Sequence, residues 1–154
     1  MRPVFLLCLT LGGGGLLLNE GCSRAAMETR QANRDRASLA LVVDTYWDAV
    51  RWGDAPRAAG CLKSPEAQLA LVRVLATPRY RLNAVSVMQV VVGAARSLQD
   101  GTEEREGTAL VKVDAIEEAR ARLVTETVEQ HWLKTSSGWH LDESRLELVD
   151  GRPW

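Results

Sequence analysis

The sequence predicts an α+β domain, with helices first and an antiparallel sheet after them. Three observations carry this. From Ser38 to Trp52 the apolar residues Leu39, Val42, Val43, Tyr46, Ala49 and Val50 recur at steps of three and four, the spacing of a helix with one buried face. From Thr108 to Ile116, Ala109, Val111, Val113 and Ala115 alternate with Lys112 and Asp114, the period of a half-buried strand. Residues 81–92 (RLNAVSVMQVVV) are dense in Val up to Gly93 and read as another strand.

The remaining elements follow in order. Residues 23–36 (SRAAMETRQANRDR) are polar and poor in large apolar groups, suiting a tether or the frayed start of the next helix. Gly53 stands where a left-handed residue would end the helix. Asp54 can cap a short helix through Cys61, with Pro56 in its first turn. Ser64-Pro65-Glu66 supplies a cap, a proline at the first helical position and an early acid, starting a helix that runs to about Ala76, before Pro78. Ala94 to Gly107, with Asp100-Gly101 and a Glu-Glu-Arg-Glu run, reads as a long solvated loop. A turn near Glu117-Glu118 leads to a long strand from about Arg120 to Lys134. Thr135-Ser136-Ser137-Gly138 is a hairpin turn, and the last strand begins at Trp139, with Leu146, Leu148 and Val149 as its extension.

Register follows from the last turn. If Lys134 pairs with Trp139, then Trp132 faces Leu141 and His131 faces Asp142. One face then carries Val124, Val128, Trp132 and Leu141, and the other carries Glu129, His131, His140 and Asp142. A one-residue slip loses this segregation.

The chain has 154 residues, with 19 Lys+Arg against 20 Asp+Glu, and is 46% hydrophobic, which fits one globular domain. That balance excludes the basic stripe of a nucleic-acid binder. Arg outnumbers Lys sixteen to three, yet the arginines are dispersed among acids and focus no anion site. Three cysteines exclude a disulfide-dense scaffold. Cys61, in an Ala-rich helical stretch, suits a small buried hydrophobe.

Met1-Arg2 and the uncharged run Pro3–Leu18 have the form of an export signal, too short for a membrane span of about 20 residues. Leu16-Leu17-Leu18 followed by Asn19-Glu20-Gly21-Cys22-Ser23 resembles a bacterial lipoprotein signal. Asn19 and Glu20 stand where that signal usually has small or apolar residues. The resemblance implies cleavage after residue 21, lipid on Cys22 and membrane anchoring on the periplasmic side of the envelope, with Ser23 matching outer-membrane members. Ordinary cleavage near Ser23-Arg24-Ala25, giving a secreted or soluble periplasmic protein, and an uncleaved anchor remain the alternatives. The expected organisation is a signal over 1–21, a tether over 22–36, one domain over 37–150 and a tail over 151–154.

Tyr46-Trp47-Asp48-Ala49-Val50-Arg51-Trp52-Gly53-Asp54, the strand Val124 to Lys134 and Gly138-Trp139-His140-Leu141 together resemble the nuclear transport factor 2-like superfamily, which includes ketosteroid isomerase-like and cystatin-like proteins. The resemblance spans about Ala37 to Val149. It implies helices packed on the concave face of a curved, cone-like sheet. Its enzyme members place acids and a Tyr or His inside the cone, so Tyr46 and Glu126 are the catalytic candidates, Tyr46 as an oxyanion donor and Glu126 as a base. Tyr46, Trp47, Trp132 and Trp139 are expected to line or fill the cone. Packing explains Tyr46 as well as chemistry does, and the superfold hosts enzymes, ligand binders and interaction modules alike. Asp44 and Asp48, one helical turn apart, suit a solvated face. Glu129, His131, His140 and Asp142 lack a water-excluding cavity, and cross-strand pairing accounts for them. No cofactor or metal is expected. The sequence therefore favours a non-catalytic binding module, for a small apolar ligand or an envelope protein, over an isomerase, dehydratase or hydrolase.

Overall fold

The computed structural model describes residues 18–97, 102–146 and 152, with side chains from residue 26 onward. The chain divides into two compact units, Met1–Gln31 and Ala32–Trp154. The elements are helices α1 (Leu18–Trp52), α2 (Ala55–Ala59) and α3 (Pro65–Ala76), then strands β1 (Tyr80–Ser97), β2 (Glu103–Glu117), β3 (Arg122–Thr135) and β4 (Gly138–Leu141). The four strands form one antiparallel sheet in the order β1-β2-β3-β4. This is the expected α+β class. No helix among the described residues is long and apolar enough to cross a membrane. The signal before Leu18, Asp100-Gly101, Leu148 and Val149 lie outside the described residues.

In the first unit the described residues are the opening turns of α1. The segment 22–36, read as a tether or as the start of the next helix, is helical throughout. Its Ala, Met, Glu, Gln and Arg residues are strong helix formers, so it needs no apolar stripe to be helical.

In the second unit, Leu39, Val43, Tyr46, Ala49 and Val50 of α1 are buried against Ala109, Val111, Val113 and Ala115 of β2 and Trp132, Trp139 and Leu141 of the last hairpin. Gly53 ends α1 at φ 68°, a conformation open to glycine at no steric cost. The Asp54 carboxylate accepts the Arg57 amide at 3.2 Å and caps α2, while the Ser64 hydroxyl accepts the Ala67 amide at 3.2 Å and caps α3. The Cys61 carbonyl accepts the Leu141 amide at 2.8 Å, tying the end of β4 to the α2–α3 connection.

β1 shifts register at Leu82/Ala84, Val87/Gln89 and Val92/Ala95. The first two shifts reverse which residues face inward, so the core positions run Tyr80, Leu82, then Val85, Val87, then Val90, Val92. Valines at both odd and even positions of this strand serve both parities. Bulges of this kind also bend the strand, which curves the sheet around α1.

Two expectations are corrected. The stretch 94–107 is mostly strand, because β1 continues to Ser97 and β2 starts at Glu103. Arg96 and Glu106 pair across the ladder on its solvent-exposed side, Nη1 3.0 Å from Oε1. The final strand does not extend to Leu146: it ends at Leu141, and residues Glu143–Arg145 form a 3₁₀ turn. Asp142 caps that turn by accepting the Ser144 amide at 3.1 Å, and Leu146 returns to the core.

Candidate functional site

β3 and β4 pair as the turn predicts, Lys134 with Trp139 and Trp132 with Leu141. That register points Trp132 inward beneath α1. Tyr46 and Trp132 have no exposed surface, and Trp47 and Trp139 are 2% and 6% exposed. The Tyr46 ring meets Trp47 edge-on at 5.6 Å and 82°, and Trp132 at 6.0 Å and 83°. Edge-to-face packing at these distances adds about 0.5–1.5 kcal/mol per pair to the burial itself. Burial holds the Tyr46 hydroxyl far above its ordinary range, so it stays protonated. The space that could be a hollow between helix and sheet is filled by these rings.

The polar groups at this centre are few. The Trp47 indole donates to Gln130 Oε1 at 2.9 Å. Among the described residues, Gln130 Nε2 and Trp132 Nε1 are buried without a hydrogen-bond partner. Glu126, the carboxylate expected to face inward, has a side chain 30% exposed and accepts from Arg152 Nη1 at 2.7 Å. Arg152 also stacks over the Tyr80 ring at 5.2 Å. A carboxylate so neutralised and hydrated is a poor enclosed base. The structure thus gathers Tyr46, Trp47 and Trp132 into one cluster, while Glu126 is partly exposed and paired with Arg152. Trp139 belongs to a different neighbourhood, donating to Ser38 Oγ at 3.0 Å and packing over Gly107. Cys22 lies in α1, and its side chain is outside the described residues.

Two clefts open beside the filled centre. One of about 360 Å³ is bordered by Asp44, Asp48, Arg51, Arg57, Val85 and Val87. One ion pair stands at its border, with Arg57 Nη1 3.2 Å from Asp48 Oδ2. The second, about 340 Å³, lies between the end of α1, the end of α3 and the start of β1, and is walled by Val50, Val74, Leu75, Pro78, Tyr80 and Leu82. Sequence periodicity could not find it, since it is made by residues on three separate elements.

Two charged clusters also escaped the sequence reading. Asp35 of α1 is 3% exposed and takes Arg105 of β2 at 2.9 Å and Lys134 of β3. Glu117 is 1% exposed and is surrounded by Arg79 at 3.7 Å, Arg120 at 3.3 Å and Arg122 at 3.4 Å. On the outer face, His131 Nε2 lies 3.4 Å from Glu129 and His140 Nε2 lies 2.9 Å from Ser137 Oγ. Burial and Lys63 hold the His140 imidazole below its ordinary value. Among the described residues no group of three or more His, Cys, Asp or Glu is arranged to hold a metal. Cys61 is 8% exposed, and burial pushes its thiol up, away from the reactive thiolate.

No family model matches the chain, and no curated protein matches it. Among solved structures it is similar to the intermembrane space region of the chloroplast protein ARC6, at 12% identity over 70% of this chain and 92% of that one, with a TM-score of 0.46. It is similar also to a candidate dehydratase of the NTF2-like family from Streptomyces avermitilis, at 13% identity over 71% of this chain and 91% of that one, with a TM-score of 0.45. These likenesses concern the path of the chain, and no function passes from either protein to this one.

Proposed function

We propose that this chain is a non-catalytic binding module, exported and held by lipid on Cys22 at the periplasmic side of the envelope, on the outer membrane. The observation that carries the module reading is the filled centre. Tyr46, Trp47 and Trp132 occupy one another's space, and the Tyr46 hydroxyl is kept protonated by burial. An enzyme of the isomerase or dehydratase kind needs room for substrate beside its acid and base. Here the candidate base, Glu126, is turned to Arg152 at 2.7 Å. The anchoring half of the reading is supported by the apolar run and Gly21-Cys22-Ser23.

The module reading is tested by titrating the full chain with small neutral apolar compounds and following each tryptophan indole N–H by NMR. The resonances of Trp47 and Trp132 should stay fixed throughout; concerted, saturable shifts of both would mean an accessible interior and overturn the reading. The anchor is tested by cell fractionation. Cys22→Ser should move the protein out of the membrane fraction, and unchanged fractionation would refute lipidation at that residue.

A further inference from the structure

The outward residues of β2 follow an order that is its own complement. Leu110, Lys112, Asp114 and Ile116 face away from α1, because Ala109, Val111, Val113 and Ala115 between them are buried. About Val113 the order is apolar, cation, anion, apolar, which is symmetric in hydrophobicity and opposite in charge. Among the described residues neither Lys112 nor Asp114 has an ion-pair partner, and Asp114 Oδ1 accepts the Thr125 hydroxyl at 2.6 Å. The flanking strands carry short side chains at these levels. Ser86 and Thr127 stand beside Lys112, and Ala84 and Thr125 stand beside Asp114. Apolar groups lie exposed at either end of the patch, with Met88 in the register shift next to Leu110 and Leu123 next to Ile116.

We propose that this face binds a second copy of the chain, sheet against sheet, about a two-fold axis crossing β2 at Val113 at right angles to the strand. That rotation sets Lys112 on the partner's Asp114 and Leu110 on the partner's Ile116, and each contact occurs twice. On the flanking strands it brings Ser86 to the partner's Ala84 and Thr127 to the partner's Thr125. At the corners Arg81 meets the partner's Gln89 and Leu123 meets the partner's Glu129, so no like charges are opposed. An axis parallel to the strands would instead oppose the two Lys112 ammonium groups and the two Asp114 carboxylates, so the charges choose the axis. Packed sheets lie about 10 Å apart, a gap that one long and one short charged side chain span together. Ser86 and Thr127 are short enough to leave the Lys112 stem room. The leucine and isoleucine supply the apolar contact, while the charges fix orientation more than they add affinity. Three strands about 4.8 Å apart over the length of Leu110 to Ile116 make a patch of roughly 350 Å² in projection. That is small beside the roughly 800 Å² per partner of a standard interface, so the dimer has a Kd in the micromolar range. The proposal is independent of the filled centre, which lies on the other side of the sheet.

The test is sedimentation velocity of the full chain in density-matched detergent, from about 1 to 300 μM, a range that brackets a micromolar Kd. The parent should pass reversibly from monomer to dimer across that range. Lys112→Glu and Asp114→Lys should each weaken the dimer at least about tenfold, since each opposes like charges twice. An equimolar mixture of the two variants should associate about as tightly as the parent, because each then supplies the charge the other lacks. The charge swap Lys112→Asp/Asp114→Lys keeps the net charge and should restore self-association, which separates this pairing from a general charge effect. Leu110→Gln leaves the charges alone and should weaken the dimer by a similar factor, giving an independent reading if a charge variant fails to fold. A parent that stays monomeric at about 300 μM, a dimer indifferent to Lys112→Glu and Leu110→Gln, or a charge swap no tighter than the single variants would each overturn the proposal. None of these results bears on the reading of the centre as filled.

Discussion

A Cβ atom on Gly107 of β2 would lie 2.4 Å from Leu39 Cδ2 on α1, so helix and sheet meet at a point that only glycine leaves open. The same Cβ would lie 3.0 Å and 3.1 Å from two ring atoms of Trp139, so Leu39 cannot yield freely. Gly107→Ala is therefore expected to cost about 1–3 kcal/mol by overpacking. In Leu39→Ala/Gly107→Ala the new methyl enters space that the leucine vacates. The double variant should be less destabilised than the sum of the two singles, by about 1 kcal/mol in urea titrations. Strict additivity would mean that the contact does not set the helix–sheet distance.

The Asp35 cluster is the second point at which α1 is fixed to the sheet. Asp35 is buried, whereas Arg105 and Lys134 have side chains 18% and 31% exposed. Asp35→Asn leaves two cations facing a neutral amide. The expected loss is about 2–4 kcal/mol, below the full cost of breaking a buried pair because both cations reach solvent. Equilibrium unfolding at low and high salt checks this; a variant within about 0.5 kcal/mol of the parent at low salt would contradict it.

Much of the fold is legible in the sequence, and the parts that are not share a cause. Alternation marks β2, spacing marks α1, and Asp54, Ser64 and Pro65 mark the starts of α2 and α3, because each signal is local. The Lys134–Trp139 register is also local, set by the turn and by the need to segregate Trp132 from His131. Asp35 and Arg105 are illegible for the opposite reason. Each looks solvated among its neighbours, and only the partner 70 positions away in the chain makes it a core residue. The run around Arg105 reads as a loop until Arg96 supplies the counter-charge for Glu106. Tyr46, Trp47 and Trp132 are identifiable as inward residues. Whether they line a cavity or fill it depends on how closely α1 approaches, which no local pattern encodes.

Acid should loosen the joint between β4 and α3. Burial pushes the Glu143 carboxyl up, but hydrogen bonds from Ser64 and the Lys63 amide outweigh it and leave it below its ordinary value of 4.5. A carboxyl with a lowered folded value adds stability that is complete above its unfolded value and is lost as pH falls through the folded one. Thermal unfolding of the parent should therefore decline from about pH 4.5 downward more steeply than that of Glu143→Gln. At pH 7 the variant should be less stable by about 1 kcal/mol, the worth of the hydrogen bonds it weakens. Parallel pH profiles for the two proteins would exclude Glu143 as a contributor to acid sensitivity.

The rings packed around Tyr46 leave no room for a ligand, and xenon uptake reads that directly. In crystals of the protein under xenon pressure, no xenon should appear within about 4 Å of the Tyr46 or Trp132 rings, the contact range of buried apolar atoms. An ordered xenon between those rings would reveal a cavity able to admit a substrate, and would contradict the reading of this chain as a filled, non-catalytic module.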